Sequence, residues 1–224
     1  VKNSDKLKRY SMFIAGVIFS ALGISLITKA GLGTSPITSL AFVLTFIFPH
    51  SLGEFTMLVN TVMFLIQAAL LGKAFGKVQL LQLPAALLFS ACIDGWMYIL
   101  GFWKTGSYVG QVLMLLLGCV FLGLGIAFEV IPNVLILPGE GLVRVIAGLT
   151  GWRFGLVKTG FDMSIVASAV GVSLFFTGHV LGIREGTVLA ALIVGSISHF
   201  FIEKVSNVLE GWIPDYSDAG DACP

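Results

Sequence analysis

The residues of this chain that could do chemistry come in matched sets. Asn60 and Asp162 lie 102 positions apart. Asp94, in Ser-Ala-Cys-Ile-Asp-Gly, and His199, in Gly-Ser-Ile-Ser-His-Phe, are 105 apart and fall opposite one another once three residues are inserted near Arg184. Charged groups inside apolar segments are costly, so they face protein or water and often mark a path for protons or ions. Asn60, Asp162, Asp94 and His199 are therefore expected to form one polar cluster. In it Asp94, Asp162 and His199 would exchange a proton or cation, and Asn60 and Asp162 would touch a solute. A second constellation is Gly31-Leu32-Gly33-Thr34-Ser35-Pro36, which leads an unpaired backbone into a helix start. Such an end carries partial positive charge and free N–H groups, so Gly31, Gly33, Thr34 and Ser35 are predicted solute contacts. The matching start, Leu137-Pro138-Gly139-Glu140-Gly141, lacks the hydroxyls. It places Glu140 in the first turn, either as an internal cap or as a proton or cation ligand. The plainer reading is that Ser35 and Pro36 only cap a helix, and that Asn60 and Asp162 bond a neighbouring backbone.

These pairs follow from a duplication of the whole chain. The same shift of 102 pairs Gly16 with Gly118, Gly23 with Gly125, Pro36 with Pro138 and Gly53 with Gly155. Glycine and proline are selected by backbone geometry, so their recurrence predicts a recurring backbone. The chain is 57% hydrophobic and 11% charged, with a mean hydropathy of +0.99. Soluble domains carry about 25% charged residues, so the composition predicts a polytopic membrane protein. A net charge of +1 without a basic stripe gives no reason to expect nucleic acid.

Eight apolar segments are predicted, four per repeat: 12–30, 36–48, 53–72 and 80–102, then 109–131, 138–150, 155–177 and 186–204. The first is read as a retained helix rather than a cleaved signal. Thirteen residues reach about 20 Å, short of the ~30 Å hydrocarbon core. Segments 36–48 and 138–150 are thus expected to be re-entrant half-helices, each opened by a proline. Each repeat (1–104 and 105–204) then has three spans, and the repeats are inverted. With the N-terminus in the cytoplasm, only Lys29, Lys104 and Arg184 of the 13 Lys and Arg fall outside. Residues 205–224 are expected to form a disordered cytoplasmic tail. Glu129 and Lys29, near span ends, are read as snorkelling to the interface. Gly16, Gly23, Gly118, Gly123, Gly125 and Ser20 are read as helix-packing residues.

Cys92, Cys119 and Cys223 form no C-x-x-C pair, and neither a metal nor a cofactor is expected. The Gly31–Pro36 run resembles the YitT/YczE group of small bacterial membrane proteins, which carry a similar Gly-x-Gly-x-Ser-Pro segment after the first helix. That group also has an aspartate late in the fourth apolar segment, where Asp94 stands. The resemblance covers most of the chain up to Lys204; repeat two departs from it, with Leu137-Pro138-Gly139. It implies a multi-pass protein of the bacterial cytoplasmic membrane, uncharacterised or transporter-like. The half-helix starts and the intramembrane carboxylates, rather than the resemblance, give the expectation of a secondary transporter or facilitator for a small polar, anionic metabolite, not an enzyme, with the bilayer and a solute as partners and a homodimer as a compatible assembly. The rivals are a non-transporting assembly or regulatory subunit, and an intramembrane enzyme using Asp94 and Asp162 as a pair.

Overall fold

The computed structural model of the chain describes residues 3–103 and 106–209, and every regular element among them is helical. The elements are α1 (Asn3–Lys29), α2 (Ser39–Ile47, entered through a 3-10 turn at Pro36–Thr38), α3 (Leu52–Leu71), α4 (Gln82–Ile99), α5 (Tyr108–Val130), α6 (Pro138–Thr150), α7 (Phe154–Thr177) and α8 (Glu185–Leu209). Six helices are long and apolar enough to cross a membrane, and the segment Pro36–Ile47 is too short. The eight expected segments are thus all helical, with two differences at the ends. α1 begins at Asn3, so Lys6, Lys8 and Arg9 belong to its first turns. α8 continues past Lys204 to Leu209, which moves the start of the expected tail; residues 210–224 lie outside the described residues.

The local reasons are visible in the sequence. Both short helices begin at a proline, whose fixed φ suits the first helical position and whose missing N–H is not needed there. α6 and α7 end at Gly151 and Gly178, both left-handed (φ 70°), which relieves the Cβ clash any other residue would have.

The centre of the fold is the pair α1 and α5. Gly16 approaches the segment Gly125–Glu129, whereas Gly23 approaches Gly118 and Leu122. Ascending positions on one helix meet descending positions on the other, so the two run antiparallel. A Cβ on Gly16 would lie 2.9 Å from the Gly125 carbonyl oxygen, and one on Gly118 would lie 2.8 Å from that of Gly23. The backbones therefore touch at two levels, as small residues allow. Between these levels Phe19 and Phe121 stack, with ring centroids 6.1 Å apart and planes at 21°. Phe13, Val17, Ile24, Ile27, Leu115 and Cys119 fill the remainder of this seam and are at most 3% exposed.

The other helices surround that seam. α4 packs on α1, and α8 packs on α5. Each short helix crosses to the opposite half: α2 packs against α7, and α6 against α3. The starts of the short helices meet, since a Cβ on Gly139 would fall 2.6 Å from Cδ1 of Ile37.

Replacing Gly118 by valine should push α1 and α5 apart and lower the detergent-solubilised melting temperature, at a cost of about 1–3 kcal/mol or more from overpacking. Gly171→Ala, at a helical position whose Cβ would meet nothing within 4 Å, should instead be neutral or raise it by roughly 0.5–1 kcal/mol. Equal melting temperatures for the two variants would remove the glycine seam from its central place.

Candidate functional site

Asp94 is held in a different way from that expected. From α4 it reaches the start of α3, where Oδ1 accepts the Gly53 N–H at 2.7 Å and Oδ2 accepts the Ser51 hydroxyl at 2.6 Å. The Ser51 hydroxyl in turn accepts the Glu54 N–H, and the Glu54 carboxylate accepts the Ser51 N–H at 2.9 Å. Together these groups satisfy three backbone donors that a helix start leaves open. Gly53 is glycine because a Cβ there would lie 2.5 Å from the Asp94 carboxyl carbon. A carboxylate at this end also opposes the positive pole of α3. Asp94 is a helix cap.

The other members of the expected cluster do not join it. Asp162 pairs with Lys158 one turn earlier on α7, at 3.0 Å. Asn60 is buried, and its Nδ2 donates to the Thr56 carbonyl of its own helix at 2.9 Å. His199 is exposed on α8. Each group thus keeps a separate environment, and Asp94 and Asp162 form no carboxylate pair.

From Leu32 to Pro36 the run is buried, and it is closed by its own hydroxyls. Thr28 and Thr34 bond at 2.9 Å, Thr34 and Thr38 at 3.1 Å, and Ser35 and Thr38 at 2.9 Å. The start of α8 clamps this run from outside. Thr187 Oγ1 accepts the Thr34 N–H at 3.1 Å, the Gly186 N–H donates to the Leu32 carbonyl at 2.8 Å, and Arg184 Nη1 donates to the Gly31 carbonyl at 3.2 Å. Gly31 (φ 74°) and Gly33 (φ 127°) make the turns, and Gly33 lies against Thr187 so closely that no side chain fits. Thr34 and Ser35 are at most 2% exposed.

The matching loop of the second half is built otherwise. Asn133 takes the place of Gly31 at the 102 shift and adopts the same left-handed backbone (φ 44°), alone among the described non-glycine residues. Val130, Ile136, Leu137 and Glu140 stand where the first half has Thr28, Thr34, Ser35 and Thr38. At the shift of 105 that aligns Asp94 with His199, Gln79 takes the place of Arg184 and Gln82 that of Thr187. The result is a cavity of about 290 Å³ instead of a closed network. Gln67, Gln79, Gln82, Asn133 and Arg144 line it, with aliphatic walls from Val78, Val134, Leu135, Ile136 and Val145. Gln67 is 2% and Gln82 5% exposed. The side-chain oxygens of Gln67, Gln79 and Gln82 are buried without a hydrogen-bond partner, a state that costs about 1–3 kcal/mol each in the absence of a ligand or water. The Gln67 amide lies flat on Gly141, where a Cβ would come 2.8 Å from its oxygen. Arg144, on α6, is exposed and makes no ion pair among the described residues, although Glu140 stands one turn before it.

One buried carboxylate also differs from expectation. Glu129 does not snorkel: it is 5% exposed, wedged against Gly16, and its Oε1 accepts the Ser20 hydroxyl at 2.6 Å. Glu140, at the start of α6, is an acidic neighbour within electrostatic reach. The duplication offers no partner for Glu129, because Ile27 occupies the matching place. The glutamines escaped notice for a similar reason: amides in apolar surroundings usually serve as packing glue. The sequence holds no signal that unites them; the fold brings three of the chain's four glutamines to one cavity.

A family described as a family of unknown function (DUF6198) matches residues 7–203. The uncharacterized membrane protein YczE of Bacillus subtilis (strain 168) is 27% identical over 217 residues, covering 96% of this chain and 95% of its own. The uncharacterized protein YyaS of the same organism is 27% identical over 201 residues, covering 88% of this chain and 94% of its own. The resemblance read from the Gly31–Pro36 run thus holds for a YczE-like group. No solved structure matches the chain.

The cap assignment makes Asp94 a stability residue. Asp94→Ala should destabilise the protein by about 1–3 kcal/mol, with Asp94→Asn recovering most of it through the Gly53 N–H. Thermal unfolding of both variants, alone and with Ser51→Ala, measures this. Purely additive effects of Asp94→Ala and Ser51→Ala would contradict the shared cap.

Proposed function

The chain belongs to the DUF6198 family, with a YczE-like membrane protein among its relatives, and on that premise we propose that it is a small secondary transporter or facilitator. Its solute is a small polar, anionic metabolite that crosses the cytoplasmic membrane with proton or cation coupling. The observation that carries this reading is the meeting of equivalent residues. Phe19 lies against Phe121, and Ile37 against Gly139, each pair related by the 102 shift. Contacts between equivalents arise where a two-fold axis passes. The crossed contacts Gly16–Gly125 and Gly23–Gly118 are what that axis generates on either side. So are the exchanged contacts of α2 with α7 and α6 with α3. An axis that reverses α1 onto α5 lies across the helices, which favours two repeats inverted in the membrane.

In this reading α2 and α6 are re-entrant half-helices whose starts meet near the midplane. Discontinuous helices and unwound loops at a repeat interface are the usual setting for solute sites in such transporters. Lipid tolerates irregular backbone only where protein or a water-filled cavity covers it, which suits the loop 131–137 beside its cavity. The excess of Lys and Arg at the end where α1 begins and Arg144 and Arg153 stand favours a cytoplasmic N-terminus, with the cavity on that side. The half-helices rock against the α1–α5 seam to change access.

Proton or cation coupling is assigned to Glu129 and Glu140. Both lie where α5 turns into the cavity-lining loop and α6, so charging either one acts on the helix that carries Arg144. Asp162, neutralised by Lys158, has a lesser claim.

Reconstitution into proteoliposomes tests this reading. Uptake of labelled small carboxylates should exceed that of protein-free vesicles and should accumulate when a pH gradient is imposed. Glu129→Gln should abolish accumulation while leaving solute exchange. If no solute moves and the protein purifies with a stoichiometric partner, the regulatory-subunit reading replaces transport. Gradient-driven accumulation at the unmutated rate in Glu129→Gln would remove coupling from that carboxyl.

A further inference from the structure

We propose that the cavity between α3, the start of α4, the loop 131–137 and α6 is a binding site for a small carboxylate that carries its own hydrogen-bond donors, a hydroxy- or amino-acid. This deepens the transport reading by naming a solute class and a site, although binding itself needs no transport. Two features of the lining divide the ligand into two ends. At the rim, Arg144 offers a planar guanidinium free of any ion pair among the described residues, a shape that matches a carboxylate through two parallel hydrogen bonds. Deeper in, Gln67 and Gln82 are more than nine-tenths buried, and their side-chain oxygens and that of Gln79 lack partners. A carboxylate alone brings only acceptors and would leave those oxygens unanswered. A ligand that also carries an O–H or N–H answers them.

The shape of the cavity agrees. About 290 Å³ lies just below the roughly 300–1,000 Å³ typical of ligand pockets, which suits a small metabolite. Gly141 leaves room for the Gln67 amide, and Asn133 holds the left-handed turn that keeps the loop clear of it. Arg144 also borders a second, shallower groove of about 470 Å³ with Trp152 and Arg153, so a cationic approach adjoins the rim. The matching place in the first half is sealed by Thr28, Thr34, Ser35, Thr38 and Thr187. Only one of the two loops thus keeps unanswered amides around a cavity.

Three probes with one carbon skeleton test this: succinate, which has no donor, L-malate, which adds a hydroxyl, and L-aspartate, which adds an ammonium. With the purified full chain at neutral pH, malate and aspartate should raise the melting temperature and bind at least about tenfold more tightly than succinate by calorimetry. Arg144→Gln should weaken all three. Gln67→Leu and Gln82→Leu should abolish the preference for malate and aspartate over succinate. Without ligand these two variants should melt no lower than the parent, because they delete an unanswered buried group; a purely structural amide would instead lower the melting temperature. No shift with any probe, or equal binding of all three, overturns the proposal and leaves a cavity that holds water only. Binding without uptake in vesicles would uphold the site and sink the transport reading. Uptake of another solute class without binding of these probes would do the reverse.

Discussion

The approach of the α1 and α5 backbones is the constraint on which the rest of the molecule depends. Within an apolar solvent two helices gain little by hiding grease from water, so close packing and backbone contact must hold them. Glycine at 16, 23, 118 and 125 brings the two chains together at two levels, with Phe19 and Phe121 stacked between. A wider seam would separate α4 from α8 and would draw apart the starts of α2 and α6, because both short helices hang from loops that leave the ends of this pair.

The same constraint explains why the two halves differ where they might have been alike. Each half leads its chain from a long helix into a short one through an irregular loop, whose backbone donors and acceptors need partners when buried. The first half solves this with four hydroxyls of its own and the start of α8, which adds Thr187. The second half substitutes branched aliphatic residues, an asparagine turn and three glutamines, and leaves a cavity. Equivalent backbones thus carry one sealed loop and one open loop.

The carboxylates show how partners determine roles. Asp94 and Asp162 looked like equals because both lie in apolar segments. A serine hydroxyl and a helix start lie within reach of Asp94, and a lysine one turn away lies within reach of Asp162, so each is answered locally. Glu129, read as an interfacial residue from its position near a span end, proves to be enclosed, because the glycine seam draws α1 over it. Position along a helix predicts depth; it does not predict which neighbour covers the side chain.

The helical segments, the two short elements and the recurrence at 102 positions were legible in the sequence alone, because apolar run length, helix-start prolines and glycines needed at close contacts or turns are local demands. The loop at Asn133 could have been read in the same way, as an asparagine standing where its counterpart has glycine. The expected meeting of Asn60, Asp162, Asp94 and His199 was not decided there. Whether a polar side chain faces a partner, a cavity or lipid depends on the rotation of each helix about its axis and on what the opposite half brings against it. That rotation is set by the packing of α1 on α5, α2 on α7 and α6 on α3, contacts between residues far apart in the chain. Tertiary structure therefore chose Gln67, Gln82 and Arg144 over the paired carboxylates, because only the folded chain leaves those amides around an open space.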